Sequence, residues 1–466
     1  MKRRRVLLIS PSSDLENKPK KTKFQTHPLG LLYIAAVLEK EGFDVQICDA
    51  HSFGYSLGYI RRNIESFKPD IVGLTAMTIF SPSAYRVAKE VKKVNPSILT
   101  IMGGPHATAL PQEALNEGAI DVVVQGEGEY AMLELCGITN ESSYSLSSIK
   151  GIFYKANGQV CKTEQRPALK DLDIIPYPAY HLLARMKEYN PPPHWGKKGR
   201  FASLITSRGC PYGCIFCSVT RAWGSQYRYR SPENVLAELE LLIKRYQVIY
   251  FTLRDSTFTL YKSRAIEICK GIINNGFNIK WNCNSRPNEI DEDLLYWMKK
   301  SGCDSIQFGI ECGNKEMLRK FKSLDRETVT WAIKLTDKFG IKPHGYFMFG
   351  LPGETHDTMR ETINFAKSLP LYSAGFTTVT PFPGSQLWDY SVKNNLVLTR
   401  QWSRYNLKES SVLKYPNLSP IDLMRTQRKA FREFYLRPRV FFYHLAKIKN
   451  MQDFSNYIYE ALINWK

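Results

Sequence analysis

At 466 residues, with 43% hydrophobic and 23% charged side chains, the chain has the composition of a globular protein too long for one ordinary core, so two or three domains are expected. Its longest apolar runs, such as 71–80, reach about half the ~20 residues of a membrane-spanning helix, and four apolar residues after Arg5 are too few for a secretion signal. A net charge of +20 leaves nucleic acid, an anionic membrane surface or acidic substrates open, but no RNP, zinc-finger or helix-turn-helix pattern accompanies it, and nucleic acid is not an expected partner. Ten cysteines, three clustered and the rest scattered singly, are no disulfide framework and point to a reducing cytoplasm.

From residue 5 to about 136, short β-branched runs alternate with amphipathic stretches. Strands are expected at 6–10, 44–49, 71–75, 98–103 and 119–125, with helices at 29–40, where Leu31, Leu32, Ala35 and Leu38 share a face, and at 84–94. This is the pattern of a doubly wound α/β domain with five parallel strands, whose ligands bind beyond the carboxyl ends of the strands. Those ends carry Ser10-Pro11, Thr75-Ala76-Met77-Thr78, Gly103-Gly104-Pro105-His106 and Gly126-Glu127-Gly128-Glu129. The glycines either admit a bulky ligand to the backbone or simply build tight turns.

Residues 141–195 are rich in serine and proline, ending in Asn190-Pro191-Pro192-Pro193-His194, and read as a linker. A strand at 201–206 then delivers Cys210-Pro-Tyr-Gly-Cys214-Ile-Phe-Cys217. Three thiolates on one short loop can hold three irons of a 4Fe-4S cubane, and with no fourth cysteine to follow, one iron is left open for a small chelating ligand. Zinc is the competing reading, but it prefers four tetrahedral ligands and the chain has no second CxxC or HxxxH pair.

Beyond the loop, Ser231-Pro232-Glu233 starts a helix with serine as its cap and proline in its first turn. Five more strand-helix units follow, with strands at 248–253, 279–284, 305–310, 345–349 and 375–380. Six in all predict a partial (β/α)6 barrel, whose active groups belong at the carboxyl ends of strands. The residues there are Arg254-Asp255-Ser256-Thr257, Arg286, Glu311, Gly350-Leu351-Pro352-Gly353-Glu354 and Thr380-Pro381. Surface salt bridging is the plainer role for any one of these charges. Cys269, Cys283, Cys303 and Cys312 lie at long, irregular spacings and read as small core hydrophobes, Cys312 being the one beside the barrel mouth.

The boundaries expected from these patterns are 1–140 for the first domain, 141–195 for the linker, 196–390 for the barrel and 391–466 for a mainly helical carboxy-terminal domain. In the last, residues 425–449 interleave Arg425, Arg428, Lys429, Arg432, Arg437, Arg439, Lys447 and Lys449 with six aromatic rings. Such helices complete a core, cap the barrel or rest on anionic lipid, and the last option leaves room for peripheral membrane contact and an apolar or lipid-like substrate.

The cysteine loop resembles that of the radical S-adenosylmethionine (SAM) superfamily. With the α/β domain ahead of it, the chain resembles from about residue 5 to 390 the cobalamin-dependent radical SAM family. Its Phe434-Tyr-Leu-Arg-Pro438 segment is similar to the branch holding the anaerobic magnesium-protoporphyrin cyclase and the hopanoid methylases. The resemblance implies a 4Fe-4S cluster on Cys210, Cys214 and Cys217, SAM on its open iron with Phe216 walling the adenine, and cobalamin between the two domains. It further implies Asp255 at the SAM amino group, although the usual Gly-Gly-Glu is absent there. Arg286 would reach the SAM carboxylate and Glu311 the ribose, with Gly350 and Gly353 beside adenine. Thr75, Met77 and Thr78, and Gly103, Gly104 and Pro105, would flank the dimethylbenzimidazole tail, with Gly126 and Glu127 lining its pocket. Asp49-Ala50-His51-Ser52-Phe53-Gly54 spells the DxHxxG of cobalamin enzymes with a histidine-ligated cobalt. Here it follows the second strand rather than the first, so His51 is expected to be a solvated or capping residue, and His27 and His106 ordinary polar contacts.

By the same resemblance, an electron from a flavodoxin or ferredoxin-type donor reduces the cluster, SAM yields methionine and a 5′-deoxyadenosyl radical, and that radical takes hydrogen from an unactivated carbon of a small molecule. In the methyltransferase version the substrate then collects a methyl group from methylcobalamin. Relatives use the same parts for ring closure or oxidation. An RNA methylthiotransferase would need three cluster cysteines in the first domain, where Cys48, Cys136 and Cys161 lie at unsuitable spacing. A non-catalytic cobalamin carrier would not need the cysteine loop.

Overall fold

A computed structural model describes residues 4–12, 15, 25–138, 145–189, 191–192, 200–406, 411–446 and 448. Pro193 and His194, Lys447 and Lys449 lie outside them. Two sheets, the first mainly and the second wholly parallel, make up most of the fold with the helices packed on them.

The first sheet contains β1 (Arg5–Ser10), β2 (Asp44–Asp49), β3 (Ile71–Thr75), β4 (Leu99–Gly103), β5 (Val122–Val124), β6 (Ile152–Ala156) and β7 (Gln159–Lys162), in the order β2-β1-β3-β4-β5-β6-β7. The five predicted strands are present and parallel to one another. β1, β3, β4 and β5 are near-continuous apolar runs because helices bury both faces of a parallel sheet. The order turns back at β1, which puts a crevice at the carboxyl ends of β1 and β3.

Residues read as linker carry two further strands, β6 and β7, antiparallel to their neighbours. Their two-residue turn is Asn157-Gly158, with φ of 52° and 78°. Positive φ at both central positions is what a tight hairpin needs, and Asn-Gly between two strand-like runs is its sequence signal. The serines and prolines on either side mask that signal.

The second sheet is built from β8 (Phe201–Leu204), β11 (Tyr250–Leu253), β12 (Lys280–Ser285), β13 (Cys303–Glu311), β14 (Lys342–Phe349) and β15 (Ser373–Thr378), all parallel and neighbours in chain order, as the partial (β/α)6 barrel requires. A separate antiparallel ribbon of β9 (Ser207–Arg208) and β10 (Arg228–Tyr229) pinches the base of the 209–227 loop. The helix Pro232–Tyr246 begins as its sequence predicts: the Ser231 side chain accepts from the Asn234 amide at 3.1 Å.

Alternation along the barrel strands sorts the side chains. Phe251, Leu253, Trp281, Phe308, Phe347 and Phe376 join the apolar core under the helices. The intervening positions, among them Thr252, Asn282, Gln307, His344 and Tyr346, face the other way and are polar.

The helix Pro420–Tyr435 covers the open edge of the barrel. Tyr435 exchanges hydrogen bonds with the backbone N–H and C=O of Ala374 on β15 (3.2 and 2.9 Å), and Gln427 donates to the Phe376 carbonyl at 2.9 Å. An exposed strand edge is thereby blocked. Trp388, Trp402, Tyr405 and Val412 form a small separate core, from which the Trp402 indole donates to Glu113 of the first domain at 2.5 Å. On the last described helix, Pro438–Leu445, Phe441, Phe442 and Leu445 are exposed. Among the described residues no helix is long and apolar enough to cross a membrane.

Candidate active site

The cysteine loop leaves the barrel beyond the carboxyl end of β8, and the ribbon at its base and the short helix after it meet the first domain at the end of β5. Gly209 bends it with φ of 85°, and a Cβ there would stand 2.1 Å from the Gln226 carbonyl oxygen, so no larger residue fits between the ribbon and the first cysteine. Cys210, Cys214 and Cys217 are each partly exposed. Burial raises the Cys210 and Cys217 thiol pKa values, and the neighbouring thiols add to the rise.

Two cations face the loop. The Arg286 guanidinium approaches the Cys214 sulfur at 3.6 Å, stacks on the Tyr212 ring at 3.6 Å and donates to the Lys322 carbonyl. The Lys322 ammonium lies 5.8 Å from the Phe216 ring centroid and pairs with Glu311 at 3.2 Å. Among the described residues no three His, Cys, Asp or Glu side chains converge on one metal-ion position. A cubane binds each thiolate through a different iron, so sulfurs spread along one loop and faced by positive charge suit a cluster rather than a single ion.

Glu311 sits at φ of 72°, unusual for a residue with a side chain, beside an irregularity in the β13–β14 register. Backbone held this way costs of order 1–3 kcal/mol and gathers at ligand sites. The distortion turns the Glu311 carboxylate back over Gly309, where an added Cβ would meet it at 2.7 Å. Asp255 is buried, and both its oxygens accept from Thr206, the amide at 2.6 Å and the hydroxyl. Gly350 and Gly353 both have positive φ, and the turn between them is tied by Glu354, which accepts from the amides of Gly350 and Leu351.

Burial raises the Glu354 carboxyl to about 7, against the pull of its two backbone bonds. The unfolded chain ionises this group near 4.5, so between these values the folded state holds the extra proton. Stability from this group is therefore full below pH ~4.5 and falls as pH rises to ~7, by about 3 kcal/mol. Urea unfolding at pH 5 and pH 8 is expected to show a drop in the wild type that is absent in Glu354→Gln. Equal drops in the two would remove Glu354 from that role.

In the first domain, Thr75 closes β3 with Met77 and Thr78 after it, and Gly103 closes β4 with Gly104 and Pro105 after it. Gly104 has φ of 89°, and a Cβ there would meet the Thr75 hydroxyl at 2.6 Å and the Ala76 backbone at 3.1 Å, so the two loops pack closely. Met77 stands 53% exposed at the rim, an apolar side chain in the position of a ligand contact. Gly126 follows β5 and faces the Ala222 carbonyl, on the short helix after the cysteine loop. Of these three strand ends, the one after β5 thus meets the segment that follows the thiols.

His51 is half-buried and is not a cap. Its ring packs on Phe80 at 4.5 Å, and it is Asp49 that caps, accepting from the Ser52 amide at 3.1 Å while the Tyr189 hydroxyl donates to it at 2.6 Å. His27 is buried between Tyr189 and Phe201, its pKa lowered to about 3 by desolvation. His106 shares a 3.0 Å hydrogen bond with the Tyr85 hydroxyl.

Sequence reasoning missed the two arginines that join the halves, and with them the role of Glu127 and Glu129. Arg208 and Arg228, directly opposed across the β9–β10 ribbon, both bond Glu127 (3.2 and 2.9 Å), and Arg208 also bonds Glu129 at 2.6 Å. The Arg208 guanidinium lies over Trp223 at 4.7 Å and Tyr33 at 5.3 Å. These four charged side chains are at most 10% exposed. The Glu127 carboxylate is thus committed to the barrel. Lys322 carried no signal in the sequence, since it is one basic residue in the helix Lys315–Lys322.

Fold and site together define a radical SAM enzyme with a cobalamin-binding domain in front of its barrel. Residues 20–136 match the model of the B12 binding domain and residues 204–366 that of the radical SAM superfamily. The chain is 38% identical over 443 residues to an uncharacterized methyltransferase of Pyrococcus horikoshii, covering 94% of each. It is 31% identical to the anaerobic magnesium-protoporphyrin IX monomethyl ester cyclase of Rubrivivax gelatinosus, over 92% of this chain and 77% of the relative. The solved structure of the cobalamin-dependent SAM radical enzyme OxsB superposes with a TM-score of 0.78 over 99% of this chain and 71% of that one, at 18% identity. The chain belongs to the cobalamin-dependent radical SAM family, and its cofactors are a 4Fe-4S cluster, SAM and cobalamin.

Proposed function

We propose that this enzyme moves a methyl group from SAM, by way of cobalamin, to an unactivated carbon of a small molecule. When bound, the cluster supplies the electron that splits SAM, and cobalamin carries the methyl group. The chain's own part is to hold these groups in register and keep water from them. The observation that carries the reading is the junction itself, where Glu127 and Glu129 of the cobalamin domain bind the two arginines at the base of the cysteine loop.

In this reading Cys210, Cys214 and Cys217 ligate the cluster, Arg286 orients the SAM carboxylate bidentately, and Glu311, poised by its backbone and held by Lys322, takes the ribose hydroxyls. Phe216, Gly350 and Gly353 border adenine. Asp255 approaches the SAM amino group with lone pairs that Thr206 leaves open. Thr75, Met77, Thr78, Gly103, Gly104, Pro105 and Gly126 contact cobalamin, and Glu127 does so through its backbone. Residues 1–140 bind cobalamin and 196–390 form the catalytic barrel. A cytoplasmic flavodoxin or ferredoxin-type protein supplies electrons, and the exposed aromatic helix Pro438–Leu445 suits a peripheral membrane contact.

A second reading, ring closure without methyl transfer, follows the Rubrivivax relative, a cyclase. Anaerobic reconstitution with methyl-labelled SAM and cell extract separates the two. Label in a product other than methionine is the expected result. Label confined to methionine, with 5′-deoxyadenosine formed, would favour the cyclase or oxidoreductase reading, and no 5′-deoxyadenosine at all would favour a carrier.

A further inference from the structure

After the last barrel strand the chain crosses back toward the first domain. Pro381-Phe382-Pro383-Gly384-Ser385 leads away from β15, and Gly384 turns with φ of 84°. A Cβ on Gly384 would stand 2.8 Å from the Arg221 side chain, on the helix Val219–Trp223 that follows the cysteines, and 3.2 Å from Ala109, on the helix Pro105–Ala109 of the first domain. Ser385 then caps the helix Gln386–Lys393 by accepting from the Trp388 amide at 3.1 Å. In the first turn of that helix the Leu387 amide donates to the carbonyl of Ile215, which lies between Cys214 and Cys217, at 2.8 Å. The segment is thus bonded into the cysteine loop itself.

Its far end grips the first domain. The Trp402 indole, which donates to Glu113, lies 5.4 Å from the His106 ring, and the turn Trp402–Arg404 packs on the turn Thr78–Phe80. His106 is fully buried, with Nε2 3.0 Å from the Tyr85 hydroxyl and 3.4 Å from the Glu113 carboxylate. It follows Pro105 directly, and its backbone N–H donates to the Ala76 carbonyl at 3.2 Å, so it joins the loop after β4 to the loop after β3. The Arg208–Glu129 junction supports the first domain at the end of β5. This segment supports it at the ends of β3 and β4, where the other proposed cobalamin contacts lie.

We infer that residues 382–405 are a positioning strap, in which Trp402 and Glu113, acting through His106, hold the cobalamin loops 75–78 and 103–105 at a fixed distance from the cysteine loop. This rests on the cobalamin contacts proposed above and goes beyond them to residues outside those contacts. Contact residues seat a cofactor in its own domain, but chemistry shared between two cofactors also depends on their separation, and a misplacement of about 1 Å costs about a hundredfold in rate. A bond from an indole to a carboxylate is charge-assisted, the stronger kind of hydrogen bond, and suits the task of fixing such a separation.

The test uses the full chain with its cluster reconstituted, titrated with hydroxocobalamin. Trp402→Phe keeps a ring and loses the N–H donor, and Glu113→Ala loses the acceptor. In both, cobalamin affinity is expected to fall about tenfold, the worth of one charge-assisted bond. Glu113→Gln keeps an acceptor for the indole and should stay within about threefold of the wild type. At saturating cobalamin, dithionite-driven 5′-deoxyadenosine formation should change less than about twofold in every variant. In extracts supplied with methyl-labelled SAM, the labelled product per 5′-deoxyadenosine should fall about tenfold in Trp402→Phe and Glu113→Ala. Wild-type affinity and product ratio in those two variants would overturn the inference, as would iron content and 5′-deoxyadenosine that fall in step with cobalamin, the mark of a merely loosened fold. A wild type that binds no hydroxocobalamin would overturn the cobalamin contacts and the strap together. Cobalamin affinity lost as expected, with label confined to methionine throughout, would uphold the strap while sinking methyl transfer.

Discussion

Cys214→Ala is expected to yield a folded protein that binds cobalamin but no complete cluster, and to reduce SAM cleavage by more than about a hundredfold. Losing a group that only supports a ligand costs about 10- to 100-fold in metal affinity or activity, and losing one of three cluster ligands must exceed that. Little stability is at stake, because the side chain is partly exposed and its sulfur meets the Arg286 guanidinium at a distant 3.6 Å. Iron content, the visible absorption of the reconstituted protein and 5′-deoxyadenosine formation check the result. Cys312→Ala is the matched control: that thiol is fully buried and its pKa is raised by desolvation, so the variant should keep its iron. Retained turnover in Cys214→Ala, or lost iron in Cys312→Ala, would contradict the assignment of the loop.

Arg208→Ala is expected to destabilise the chain by about 3–5 kcal/mol, the usual cost of stripping one partner from a buried ion pair. Arg208 and Glu129 are 3% and 6% exposed at 2.6 Å separation, and removal leaves the Glu129 carboxylate buried beside an empty volume next to Trp223 and Tyr33. Arg228 would still satisfy Glu127, so the junction loosens rather than opens. Arg208→Lys should recover only part of the loss, since one ammonium cannot span both glutamates and also stack on the indole. Urea titrations of the cluster-free protein at neutral pH measure the effect. A shift worth less than about 1 kcal/mol would mean that the junction is a solvated surface pair in solution.

Features set by neighbours in the chain are legible in the amino-acid order alone. The cysteine spacing is a local ligand pattern, the 2- and 3.6-residue periods identify the strands and helices, and Ser231-Pro232 announces its helix start. Where the order misleads, a competing local signal or a distant partner is responsible. Asn157-Gly158 is masked by the serines and prolines around it. Asp49, not His51, is the cap, and Phe80, from a different loop, takes the histidine ring. The basic aromatic carboxy-terminal stretch seals a strand edge through Gln427 and Tyr435, a role fixed by where β15 ends its sheet.

By itself, then, the order of amino acids determined the chemistry: three thiols on one loop with no fourth, ahead of a strand-helix repeat and behind a doubly wound α/β domain. Only the tertiary structure decided which charges meet. Arg208 and Glu129 stand 79 positions apart, and Arg286 meets a sulfur 72 positions away. Such pairings follow from sheet order and register, which are settled by burying all strands and helices at once, so no short window of sequence contains them.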